Sequence, residues 1–197
     1  MDVAVTGSTG LIGSALVASL ERDGHRVRRV SRRADAGPGT VRWDPERGEL
    51  DGAALAGVDA VVHLAGEGIG DHRWSDEHKR RVLDSRVKGT TLVAETMAAL
   101  DPRPSVLVSA SAIGYYGDRG DERLTEESAP GEGFLADVVR QWEGATGAAE
   151  AAGIRVAHIR TGLVLARSGG ALAPMLPLFR FGLGGRLGSG RQWWSWI

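Results

Sequence analysis

Three glycines spaced three apart, Gly7, Gly10 and Gly13, follow directly on the apolar run Val3-Ala4-Val5-Thr6. After a strand each glycine serves a separate purpose. Gly7 lets the chain turn sharply, Gly10 removes the side chain that would bar a pyrophosphate from the backbone, and Gly13 lets the next helix pack close to the sheet. The anion then rests on N–H groups that the start of a helix leaves unpaired. The chain has 29 glycines, so the spacing alone is weak and a plain strand-helix turn is the alternative. Context favours the phosphate site, because a strand comes immediately before and Leu11, Ile12, Ala15, Leu16 and Leu20 form one apolar helical face immediately after. Gly7, Thr9, Gly10, Leu11, Ile12 and Gly13 are therefore expected to meet a dinucleotide.

The end of the second strand selects which dinucleotide. An NAD site places an acid about 20 residues past the glycines to hold the ribose hydroxyls. This chain places Ser31-Arg32-Arg33 there. A carboxylate would repel a 2′-phosphate, whereas a guanidinium donates paired hydrogen bonds to it and stacks on the adenine. The cofactor is therefore expected to be NADP, met by Ser31 and Arg32. The alternative is a pair of solvated loop charges, with Asp35 serving as the acid.

These residues need a scaffold, and strand and helix signals alternate along the chain to supply one. Residues 27–31 read as a second strand, 40–43 as a short third and 59–64 as a buried fourth. Ser75 reads as the N-cap, with Asp76 and Glu77 in the first turn, of a long helix to about residue 100 that Asp101-Pro102-Arg103-Pro104 ends. Then come a strand at 105–109, a polar loop at 114–133, a helix at 134–152 closing on Gly153, and a strand at 155–160. On that helix Trp142 shares a face with Leu135, Val138, Val139 and Ala149 and reads as core. The alternation specifies an α/β fold with a doubly wound parallel sheet, of the Rossmann type. Glu67 directly follows the fourth strand, at the carboxyl edge where such sheets bind ligands. It reads first as an acceptor for ribose hydroxyls, with a base or a plain loop acid as the alternatives.

Composition narrows the partners. A chain of 197 residues, 42% hydrophobic and 25% charged, can build one well-packed core. Its net charge of -1 gives no reason to expect nucleic acid or an anionic membrane as partner, so a small-molecule substrate is expected. No cysteine is present, and His25, His63, His72, His78 and His158 show no metal spacing, so no metal site is expected. With a first strand at residue 2 or 3 and no apolar run near the roughly 20 residues of a membrane helix, the cytoplasm is the expected compartment. The oligomeric state stays open.

Thr6-Gly7-x-x-Gly10-x-x-Gly13, Leu64-Ala65-Gly66 after the fourth strand, Val87-x-Gly89-Thr90 in the long helix and Ser109-x-Ser111 before Tyr116-Gly117 together resemble an extended short-chain dehydrogenase/reductase. Leu64-Ala65-Gly66-Glu67, Ser85-Arg86, Phe134-Leu135-Ala136, Trp142-Glu143 and Gly184-Gly185-x-x-Gly188-Ser189-Gly190-x-Gln192 are similar to the atypical branch called epimerase family protein. The resemblance covers essentially the whole chain. It implies an NADP-binding Rossmann-type fold, with cofactor contacts from Leu64, Ala65, Gly66, Glu67, Arg86 and Ser109. Ordinary extended members use a Tyr as general acid/base, a Lys four residues later that tunes it and holds the nicotinamide ribose, and a Ser or Thr that orients the substrate carbonyl. Here Phe134 and Val138 stand where that Tyr and Lys would be, and neither carries a proton or a charge. Ser111 matches the Ser. Arg86 replaces the usual Asn, and in the atypical branch it comes near the cofactor; it is read as a substitute cation or else as an exposed helix charge. Tyr115 and Tyr116 follow the strand end beside Ser111 and are read as proton donors or as packing aromatics with satisfied hydroxyls.

Residues 1–165 are thus expected to form the NADP-binding domain and 166–197 the beginning of a substrate-binding region, cut short. Family members continue past this point, and Arg191-Gln192-Trp193-Trp194-Ser195-Trp196-Ile197 is an aromatic, strand-like run without an evident partner. Two functions follow from the resemblance and its departures. One is an oxidoreductase or epimerase acting on a small carbonyl or sugar-like substrate, with Ser111, Tyr115 and Tyr116 as catalytic candidates. The other is a non-catalytic NADP(H)-binding redox sensor or interaction protein.

Overall fold

Strand β1 (Asp2–Thr6) lies inside a seven-stranded sheet with β2 (Arg26–Ser31), β3 (Val41–Asp44), β4 (Glu49–Leu50), β5 (Ala60–His63), β6 (Val106–Ala112) and β7 (Arg155–Thr161), in the order β4-β3-β2-β1-β5-β6-β7. The structure is a computed structural model that describes residues 1–33, 39–186 and 188–197; Asp35 lies outside these. Pairing is parallel from β3 through β6, and β4 returns antiparallel on β3. Helices α1 (Leu11–Arg22), α2 (Asp76–Ala99), α3 (Phe134–Gly144) and α4 (Gly147–Ala151) fall between the strands. This is the α/β, doubly wound Rossmann-type arrangement expected from the alternation.

Two compact units make up the chain, Met1–Ala110 with Arg140–Ile159 and Ser111–Val139 with Arg160–Ile197. In the first, both faces of the sheet are covered, and so β5 reads Ala-Val-Val-His with no polar alternation. Ala4, Val30, Val41, Val61 and Leu107 pack with Val93, Ala94 and Met97 of α2. Val3, Val5, Ala60 and Val106 pack with Val17 of α1 on the other side. The buried face of α1 runs through Gly13 and Val17, flanked by Leu16 and Leu20, whereas Ile12 is 44% exposed and departs from the expected apolar face. Ser75 caps α2 as expected, its side chain accepting from the His78 amide at 3.1 Å.

The expected single helix at 134–152 is two. It breaks at Thr146, whose hydroxyl lies 2.7 Å from the Glu143 carbonyl and so competes with the helical backbone. Leu135 is 38% exposed, so the buried face of α3 holds Val138, Val139 and Trp142 without it. Strand β4 is too short for a periodic signal; Asp44 makes its hairpin by accepting from the amides of Glu46 and Arg47 at 3.1 and 3.2 Å.

In the second unit, β6 ends in a 3-10 turn, Ile113–Tyr116. The C-terminal aromatic run lies extended beside Leu163, which donates to the Ser195 carbonyl at 2.9 Å and accepts from the Ile197 amide at 3.0 Å. There Trp193 Nε1 donates to Asp121 at 2.6 Å. Among the described residues no helix is long and apolar enough to cross a membrane, and no group of three His, Asp or Glu is placed to hold a metal.

Candidate functional site

The loop between β1 and α1 is built for an anion. Gly7 has φ +64°, the left-handed region that glycine enters freely, and its carbonyl accepts from the Gly10 amide at 3.0 Å. A Cβ on Gly13 would collide with that same carbonyl oxygen, and one on Gly7 would come within 2.8 Å of the Leu64 carbonyl carbon. Gly10 is the N-cap and brings no side chain, and the first turn of α1 holds no acid. The amides of Leu11, Ile12 and Gly13 are those that helix geometry leaves without an intrahelical partner. A pyrophosphate fits this cradle, since Gly7, Gly10 and Gly13 bring no side chain to it. Beside it, β2 ends with the Ser31 hydroxyl accepting from the Arg33 amide at 3.1 Å, and the Arg32 and Arg33 side chains are exposed.

Across the sheet from Val30, Thr6, His63 and Ser109 stand in one register row, all three buried. Thr6 Oγ1 accepts from the amides of Leu64 and Ala65 at 3.1 and 3.2 Å, which uses both its lone pairs. Its own proton must therefore go to His63 Nδ1, 2.8 Å away, so the ring is neutral with its hydrogen on Nε2. Trp43 meets that ring edge-on at 5.9 Å, and both rings lie next to Gly89 of α2. Burial pulls the His63 imidazole down to about 4. The unfolded chain, with an ordinary value near 6.5, takes up the proton first as pH falls. Stability is therefore complete above about pH 6.5 and is lost towards pH 4, by an amount on the order of 3 kcal/mol. Urea unfolding at pH 7 and pH 5 checks this: His63→Asn, which keeps an acceptor for Thr6 but cannot titrate, should flatten the pH dependence, and an unchanged slope would contradict the assignment.

Past β5, Glu67 is tied by its backbone: its amide donates to Ser85 Oγ at 3.0 Å and its carbonyl accepts from Arg86 Nη1 at 3.0 Å. Its carboxylate lies 3.7 Å from Arg81 Nε and 3.8 Å from His72 Nε2. Arg86 is 8% exposed, which overturns the reading of an exposed helix charge. Nη1 also donates to the Val82 carbonyl at 3.0 Å, and the guanidinium lies over the Trp142 ring, 5.0 Å from its centroid. Burial lowers the Arg86 pKa from its ordinary value, with the Glu67 charge opposing. Gly66 lies against this cation: a Cβ there would be 3.5 Å from Arg86 Cζ.

In the second unit Ser111 is buried at the end of β6, and Tyr115 and Tyr116 lie in the turn that follows. Arg160, which belongs to no motif legible in the sequence, organises them. Its Nη1 donates to the Tyr116 hydroxyl at 2.9 Å and to the Glu126 carbonyl at 3.0 Å, and its guanidinium stacks 3.5 Å from the centre of the Tyr115 ring. Tyr116 is buried and its oxygen accepts, which leaves the phenol proton for another acceptor. Thr6, His63 and Arg160 are thus added to the candidate residues; Thr6 opens the glycine motif and His63 stands out as a histidine inside an otherwise apolar strand, while Arg160 has no signal in the sequence.

The sequence profile of the NAD dependent epimerase/dehydratase family matches residues 3–197. An epimerase family protein of Mycobacterium tuberculosis is 48% identical over 195 residues, which are 99% of this chain and 64% of that protein. The chain therefore spans a little under two thirds of that relative's length. The crystal structure of the nucleoside-diphosphate sugar epimerase from Corynebacterium glutamicum superposes with a TM-score of 0.88 at 46% identity, covering 100% of this chain and 41% of that one. Human epimerase family protein SDR39U1, solved with NADPH, superposes with a TM-score of 0.87 at 38% identity, covering 100% of this chain and 65% of that one. With the glycine cradle in place and Phe134 and Val138 where a Tyr-Lys pair is usual, the chain belongs to the NAD dependent epimerase/dehydratase family, as an atypical extended short-chain dehydrogenase/reductase.

Proposed function

We propose that this protein binds NADP(H) and acts as an oxidoreductase or epimerase on a small carbonyl or sugar-like substrate. The observation that carries the reading is the cradle of Gly7, Gly10 and Gly13, whose backbone has no room for a Cβ at Gly7 or Gly13. The human relative's structure with NADPH supports the same choice. When bound, the nicotinamide gives or takes a hydride. Ser111 polarises the substrate oxygen, and Tyr115 or Tyr116 supplies the proton, in place of the absent Tyr-Lys pair. Leu64, Ala65, Gly66, Glu67, Arg86 and Ser109 line the cofactor past the pyrophosphate, and residues 166–197 contribute to substrate binding. The test is to add NADPH to the protein and screen carbonyl substrates for loss of reduced-cofactor absorbance.

Cofactor choice rests on Ser31 and Arg32. NADPH should bind more tightly than NADH, and Arg32→Ala should cost about 1.5 to 3 kcal/mol for NADPH alone, roughly tenfold to a hundredfold in affinity. Titration calorimetry with both cofactors checks it, and equal affinities in the unmodified protein would refute it. A second reading, a non-catalytic NADP(H)-binding sensor, is favoured by Phe134 and Val138 at the usual Tyr and Lys positions. It gains if NADPH binds and no carbonyl compound is turned over.

A further inference from the structure

Arginines without a counter-charge collect at one corner of the sheet. Within β2 the arginine charges are met: Arg26 and Arg28 reach Asp2 at 3.0 and 2.6 Å, and Arg29 reaches Glu21 of α1 at 2.7 Å. Arg32, Arg33 and Arg42 are exposed and meet no carboxylate among the described residues. Strand register fixes where Arg42 stands. β2 and β3 pair in parallel, with Val30 opposite Val41 and Ser31 opposite Arg42. Val30 and Val41 are both buried in the core on the α2 side, so the next pair, Ser31 and Arg42, turns to the face that carries α1. Val27, which shares that face of β2 with Ser31, packs on the cluster that holds Val17 of α1. The Ser31 and Arg42 side chains thus leave the same face of adjacent strands, which lie about 4.8 Å apart.

Sheet order says which anion arrives there. From the cradle beside β1 the adenosine half of the cofactor runs to the end of β2, and β3 is the next strand beyond it. A phosphate monoester carries roughly two negative charges at neutral pH, and Arg32 alone supplies one positive charge. We infer that Arg42 is the second cation of the 2′-phosphate site, so that the group is held between β2 and β3 by Ser31, Arg32 and Arg42. Each guanidinium is a fork that takes two phosphate oxygens at once. The Ser31 hydroxyl already accepts from the Arg33 amide, so its own proton is left for a phosphate oxygen. This inference rests on the NADP(H) reading above and adds to it a residue on another strand, which neither the glycine spacing nor the end of β2 points to.

NADPH and NADH differ by the 2′-phosphate alone, so their affinity ratio reads this site. In titration calorimetry Arg42→Ala should weaken NADPH about tenfold and leave NADH unchanged. Arg42→Lys, which keeps the charge and loses the fork, should weaken NADPH less than Arg42→Ala does. Arg22→Ala removes a charge at the last residue of α1 and should change neither cofactor. Undiminished NADPH binding in Arg42→Ala overturns the inference, as does an equal loss for both cofactors. An equal NADPH loss in Arg22→Ala also overturns it, because the effect would then be the long-range field of any positive charge. The cofactor reading is tested separately: a loss in Arg32→Ala without one in Arg42→Ala removes Arg42 and leaves that reading standing, whereas an unmodified protein that binds neither cofactor removes both.

Discussion

Gly13→Ala abolishes measurable NADPH binding while the sheet stays folded. The added Cβ meets the Gly7 carbonyl oxygen and comes within 2.9 Å of the Ser8 Cα, so it meets backbone on both counts, where no side chain can rotate away. Gly7 cannot retreat, because its other side already lies against the backbone of Leu64 and Ala65. Overpacking of this kind costs about 1 to 3 kcal/mol, and the cheapest relief is to lift the start of α1 off the sheet. That moves the amides that cradle the phosphates. Hydrogen bonds to a charged group are worth about 1.5 to 3 kcal/mol each, so losing two weakens binding by a hundredfold or more. Gly147→Ala is the control: it lies in α4 with nothing within 4 Å of its would-be Cβ, and it should bind NADPH as the unmodified protein does. Calorimetry with circular dichroism on both variants checks the pair; normal NADPH affinity in Gly13→Ala would mean that the phosphates lie elsewhere.

That collision shows what the sequence could and could not disclose. The spacing of Gly7, Gly10 and Gly13 after a strand is a local signal, and local backbone geometry follows from it. The Ser75 cap and the alternation of strands and helices along the chain are legible for the same reason. Arg86 was visible as a departure from a motif, yet its burial depends on Trp142, fifty-six positions along the chain, and no spacing rule connects them. His63 and Thr6 are likewise fifty-seven apart and meet because β1 and β5 pair in one register. The break at Thr146 is marked in the sequence by Gly144 and Gly147 on either side, but the apolar periodicity continues through them, and the hydroxyl that interrupts the helix acts on a backbone carbonyl. Arg160 illustrates the limit: a charged residue near the end of a strand reads as solvated until the tertiary fold brings Tyr115, Tyr116 and Glu126 to it.

Ser111→Ala lowers kcat by about a hundredfold or more on whatever carbonyl substrate is found, with NADPH affinity kept. A hydroxyl that polarises a reacting oxygen works mainly in the transition state, and removing one such donor costs roughly a hundredfold to a thousandfold. Ser111 is not among the residues read as cofactor contacts, so the dinucleotide should not sense the change. The tyrosines divide by their hydroxyls. Tyr116 is buried with its oxygen accepting from Arg160, so Tyr116→Phe removes both a proton donor and a partner of that guanidinium, and its Tm should fall along with kcat. Tyr115 meets Arg160 through its ring face, so Tyr115→Phe keeps the stack and should leave Tm unchanged. Whichever tyrosine supplies the proton should lose about a hundredfold to ten-thousandfold in kcat when its hydroxyl is removed. Val138→Lys should rescue nothing, because Phe134 offers no phenol to activate, and an ammonium at a position 2% exposed would cost stability. Full turnover in Ser111→Ala and in both Tyr→Phe variants would remove this site from the reaction, because none of its three hydroxyls would then be needed to hold or protonate the substrate oxygen.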